Sequence, residues 1–74
     1  MKQVVFSHTF GAFFIALKRN IDVAVFVTKR EDEYLVEFRT NKALHCLRLA
    51  SIADYQMFSD RIDKLQKPFF KLGF

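Results

Sequence analysis

Chemistry needs nucleophiles, proton carriers or metal ligands held close together, and this 74-residue chain offers few of them. Its thiol and imidazole groups are His8, His45 and Cys46. His45 and Cys46 are adjacent, and on a strand adjacent side chains point to opposite faces. They can therefore form neither a Cys–His nucleophile pair nor one wall of a zinc site. The expected roles are a partly buried structural thiol and a surface or core histidine, with no metal and no cofactor. Among the carboxylates, Asp32 and Glu33 fall in a polar turn, while Asp54, Asp60 and Asp63 belong to the solvated face of a helix. Acid–base catalysis needs titratable groups in contrasting environments, and nothing in this pattern separates them. Gly11 and Gly73 match neither a phosphate-cradling loop nor a dinucleotide fingerprint. The chain reads as non-enzymatic, with no small-molecule substrate.

The cations could do a different kind of work. Twelve basic and eight acidic residues give a formal charge of +4, which favours anionic partners only modestly. Lys18-Arg19 and Lys29-Arg30 are the candidate nucleic-acid contacts, and they equally suit the solvated ends of a helix and a strand. The lone Cys46 cannot form an internal disulfide, so a reducing compartment, the cytoplasm, is the expected location.

Those residues must be positioned by regular elements, because the chain has only two glycines and one proline to interrupt them. Hydrophobic residues make up 51% and charged residues 27%, the balance of a folded domain. Ten phenylalanines supply the large apolar side chains that a very small domain needs. Phe6, Phe10, Phe13, Phe14 and Leu17 recur at the spacing of one helix face. Ser7 or Thr9 can cap that helix, and Lys18 and Arg19 complement the dipole of its last turn. The apolar run from Val4 to Leu17 is shorter than the ~20 residues of a bilayer span. Lys18-Arg19-Asn20 also stands where a signal peptide would place small residues for cleavage. The run reads as core, and no membrane segment is expected.

The stretch IDVAVFVTK alternates as a strand, with Ile21, Val23, Val25 and Val27 on one side and Asp22, Ala24, Phe26 and Thr28 on the other. After the turn REDE, YLVEFR places Tyr34, Val36 and Phe38 on one face and Leu35, Glu37 and Arg39 on the other. TNK turns again, Asn41 being tolerant of left-handed backbone, and ALHCLRLA makes a third strand. Connections this short force antiparallel pairing. Ser51 caps the second helix with Asp54 three residues on. Ile52, Tyr55, Phe58, Ile62 and Leu65 form its stripe, Asp60–Lys64 and Asp63–Lys67 its outer pairs, and Pro68 its end. The tail FFKLGF is apolar enough to dock.

The fold class that follows is α+β, a three-stranded antiparallel meander packed against two helices in one compact domain over residues 1–74. Residues 2–6 form either a fourth, N-terminal strand or the first turn of the first helix. This element order is also that of double-stranded-RNA-binding domains. Here, however, the first hairpin loop is KREDE and the second helix starts SIADY, so acidic groups stand where phosphates would have to sit. No family is assigned.

With Val23, Val25, Val36 and Phe38 facing the helices, the opposite sheet face carries Phe26 and Leu35 beside Glu37, Arg39 and Arg48. Apolar anchors in a charged rim have the composition of a small interface. The expected function is a binding protein that acts as a regulator, inhibitor or assembly factor by occupying a protein partner. A homodimer is its simplest form. The alternative is a sequence-tolerant RNA- or DNA-binding module.

Overall fold

A computed structural model describes residues 3–20 and 22–72 of the chain, so the expectations for residues 2, 21, 73 and 74 lie outside the described residues. The element order is β1 (Gln3–Ser7), α1 (Phe10–Arg19), β2 (Val25–Arg30), β3 (Glu33–Arg39), β4 (Ala43–Leu49), α2 (Ile52–Leu65) and β5 (Phe69–Leu72). The antiparallel meander β2–β3–β4 forms as its alternation requires, with Val36 opposite both Val27 and Leu47. It is only the middle of the sheet. The full order is β1-β4-β3-β2-β5, five strands with a parallel pair at each edge: β1 beside β4, and β5 beside β2. The expected three-stranded antiparallel meander, with a fourth N-terminal strand as an alternative, is thereby corrected to a mixed five-stranded sheet in which residues 3–7 do form a strand. Period-two alternation reports that a segment is a strand but not which neighbour it takes, and β1 and β5 are too short to show it at all.

This order fixes where the helices go. The step β1–α1–β2 and the step β4–α2–β5 each join parallel strands three places apart in the sheet, in the same direction. Crossovers of one hand and one direction lie on one face. Both helices accordingly cover the same side, where the rings of Phe13 and Phe58 lie 5.8 Å apart.

Each helix is delimited by local chemistry. The Thr9 hydroxyl accepts from the Ala12 amide at 3.1 Å, and Ser51 accepts from Asp54 at 3.2 Å, so both starts have the caps expected of them. Phe6 is not part of the first helix. Its four-residue spacing to Phe10 mimics the helical period, but Ser7, His8 and Thr9 interrupt the chain, and Phe6 belongs to β1. At the end of α1 the Asn20 side chain donates to the Ala16 carbonyl at 2.8 Å. α2 ends at Gln66, whose left-handed backbone (φ 56°) turns the chain before Pro68. Among the described non-glycine residues the other positive φ is at Glu31, in the β2–β3 turn. Asn41 does not adopt one; in its turn the Thr40 hydroxyl accepts from the amides of Lys42 and Ala43. Strand β2 starts at Val25 rather than earlier, with Val23 packed against the core from the preceding loop.

The core lies between helices and sheet. Phe13, Leu17, Val25, Val27, Val36, Phe38, Phe58 and Ile62 are completely buried, and Phe69 of the tail packs against them. Ile52, assigned to the α2 stripe by spacing, is 55% exposed. It opens the helix, a turn before the stripe reaches the sheet.

Phe13→Ala should cost ~3–5 kcal/mol, the range for emptying a buried phenylalanine site, and should unfold much of the population in a thermal melt. Gly11 gives the opposite expectation. A Cβ built there meets nothing within 4 Å, so Gly11→Ala should stabilise by ~0.5–1 kcal/mol and raise the melting temperature.

Candidate interaction surface

Residues paired across a ladder share a face, so the registers define the side of the sheet away from the helices. Phe26 stands opposite Glu37, Glu37 opposite Cys46, and Leu35 opposite both Thr28 and Arg48. The five residues named from the sequence, Phe26, Leu35, Glu37, Arg39 and Arg48, therefore do lie on one face. The parallel edges extend it. Val4 and Phe6 of β1 join Leu44 and Cys46 of β4, and Phe70 and Leu72 of β5 join Phe26 and Thr28 of β2. Sequence reasoning missed these edge residues because the surface depends on long-range pairing. The signal that points to them is the β-branched and aromatic content of VVF and FFKL, near the two ends of the chain.

Among the described residues, no helix covers this face. The most exposed of its large apolar residues lie at the edges: Val4 is 54% exposed, Phe6 55%, Phe70 49% and Leu72 48%. The tail does dock, but as an edge strand that widens the face rather than a lid across it. Phe70 stacks on Phe26 with ring centroids 5.3 Å apart, so two strands contribute one aromatic step. A depression of about 280 Å³ is lined by Phe6, Leu35, Arg30, Arg48 and Glu33. Arg48 donates to Glu33 at 2.6 Å across the strands. That pair is solvent-exposed, so it orients the two side chains and adds no more than ~1 kcal/mol.

The four cations proposed for nucleic acid do not gather. Lys18 and Arg19 end α1, whereas Lys29 and Arg30 end β2. Lys29 pairs with Tyr34 on the helix side and Arg30 with Glu33 on the open side. Arg19 shares a shallow hollow with Arg39, and Lys18 borders a cleft between the helices with Arg61 and Lys64 over Phe14 and Leu65. The Arg61 guanidinium sits 5.7 Å above the Phe14 ring, a cation–π contact.

The residues weighed for catalysis are separated as the strand geometry requires. His45 stacks on Phe38 on the helix side, with centroids 4.6 Å apart, whereas Cys46 is buried among the open-face residues. No group of three His, Cys, Asp or Glu side chains that could hold a metal occurs among the described residues. Among them, no helix is long and apolar enough to cross a membrane.

Burial, and then the negative charge of Glu37, raise the Cys46 pKa above its ordinary value of 9.0. The thiol is thus neutral at physiological pH and a poor nucleophile. Alkylation by iodoacetamide at pH 7.5 should be much slower in the native protein than in denaturant. The linked stability is fully present below the unfolded-state pKa of the thiol and is lost as pH rises through the higher folded-state pKa. A Cys46→Ser variant should show less of this alkaline loss in melts across the same pH series.

No family model matches this chain, and no curated protein matches it.

Proposed function

We propose that this chain is a small, non-enzymatic binding protein that docks the open face of its sheet onto a protein partner, as regulators, inhibitors and assembly factors do. One observation carries the reading: a five-stranded face with apolar side chains on every strand and, among the described residues, no helix over it. Monomeric proteins rarely leave an apolar patch of this kind in water, and those that do commonly use it for binding. Phe26 and Leu35 near the middle are the anchors, while Glu37, Arg39 and Arg48 give the polar groups that set register. The buried neutral thiol of Cys46 beneath this face suits a reducing compartment such as the cytoplasm.

A nucleic-acid-binding role is the second reading, and one observation favours it. Phe6, Phe26 and Phe70 share the open face with Arg30, Arg39 and Arg48, and stacking rings flanked by arginines can hold single strands. Glu33 and Glu37 on the same face oppose a polyanion.

The two readings separate by salt and by mutation. Capture of a partner from extract of the native cell should survive nuclease treatment and should vary little between 50 and 300 mM salt, values chosen to span the range over which phosphate contacts weaken steeply. Phe26→Ala and Leu35→Ala should each weaken it by ~1–3 kcal/mol while the melt stays close to wild type. Arg39→Glu should mainly slow association. Capture lost on nuclease treatment would transfer the role to nucleic acid.

A further inference from the structure

Resting on the reading of the open face as a protein-docking surface, we infer that its occupant is a second copy of this chain, packed face to face with the two β3 strands antiparallel. The charges on that face are self-complementary. Along β3 the outward side chains run Glu33, Leu35, Glu37, Arg39, with acid at one end and base at the other. A two-fold axis crossing β3 at right angles, level with Val36, lays each Arg39 over the Glu33 of the second copy. It also brings Leu35 against the aliphatic stem of the opposing Glu37. Each Arg48, already bonded to Glu33, completes a charged cluster at both ends of the interface. The shared position of β3, third of five strands, centres that axis on the sheet.

The area is sufficient. Five strands about 4.8 Å apart, of up to seven residues rising about 3.3 Å each, present a face of roughly 24 by 20 Å. Two copies therefore cover on the order of 1,000 Å² together before the relief of the side chains is counted, the size at which specific interfaces begin. The exposed Val4, Phe6, Phe70 and Leu72 lie at the two edges, so sealing them needs an occupant as broad as the sheet itself. A second identical sheet has that breadth, whereas a single helix or an extended peptide spans only one or two strands. Packed sheets align within about 30° of each other, an angle that keeps β3 over β3.

The test is a paired charge reversal read by sedimentation equilibrium of the untagged chain from 1 to 100 µM, with a melt on each variant. Wild type should sediment as a dimer. Arg39→Glu and Glu33→Arg should each raise the dimer dissociation constant tenfold or more, because each places like charges at both ends. An equimolar mixture of the two variants should restore dimer to near the wild-type constant, since both end pairs are again opposite in sign. Leu35→Arg should give monomer alone or mixed. Single variants that dissociate without rescue in the mixture would overturn the antiparallel arrangement. A wild-type monomer at 100 µM would overturn the second copy as occupant. The protein-docking reading would then survive only if Phe26→Ala still weakens capture of another protein. A dimer that persists in Leu35→Arg would show that the copies meet elsewhere and would overturn the inference. Salt-sensitive binding of a labelled oligouridylate by a wild-type monomer, lost in Phe6→Ala, would overturn both readings.

Discussion

The packing of Phe13 against Phe14, Phe38 and Phe58 is the interaction on which the rest of the structure depends. Its ring lies 5.2 Å from that of Phe38 on the central strand and 5.8 Å from that of Phe58 on α2. One side chain thus ties both helices to the sheet. The helices are short, ten and fourteen residues, and isolated helices of that length are marginal in water. Their caps delimit them, but burial against the sheet is what makes them persist. The same cluster accounts for the concentration of phenylalanine: Phe10 and Phe69 extend it on either side of Phe58.

Because both crossovers run in the same direction across the sheet, this core is necessarily one-sided. Among the described residues, no third layer lies on the other face. The apolar residues there are therefore a consequence of strand pairing combined with a choice of side chain, and only the choice needs explaining. A sheet face meant for water would carry threonine, lysine and glutamate at these positions. Phe6, Phe26, Leu35, Leu44, Phe70 and Leu72 stand there instead, and the Phe26–Phe70 stack offers a flat ring surface rather than a filled corner.

Much of this was legible in the sequence where the signal is local. The meander follows from Tyr34-Val36-Phe38 and its neighbours alternating, and α2 follows from Ser51, Asp54 and a stripe through Ile62. The placement of Phe26, Leu35, Glu37, Arg39 and Arg48 on one face needed only that alternation and the sense of the two turns. What was not legible is non-local. Nothing in VVF says that it will run parallel beside β4, and nothing in FFKL says that it will pair with β2 rather than fold over it. Phe6 shows the same limit in miniature: a spacing of four to Phe10 satisfies the helical period, while the residues between them break the helix. The contribution of the two edge strands to the open face was invisible for this reason.

The distribution of charge then bears on what the face meets. The chain carries a formal charge of +4, yet its open sheet face mixes Arg30, Arg39 and Arg48 with Glu33 and Glu37 and is close to balanced. Lys18, Arg61 and Lys64 stand at a cleft between the helices, on the opposite side of the molecule from the open-face phenylalanines. A single-strand-binding sheet brings its rings and its positive potential to the same place, so that phosphates and bases are engaged together. Here the arginines beside the rings are offset by Glu33 and Glu37, and Lys18, Arg61 and Lys64 lie on the other side of the molecule. A largely apolar surface whose charges nearly cancel exerts little long-range pull on a polyanion, and an acid-to-base order along it favours a surface that presents the reverse order. Under the protein-docking reading proposed above, the acid-to-base polarity along β3 is what would supply that selectivity.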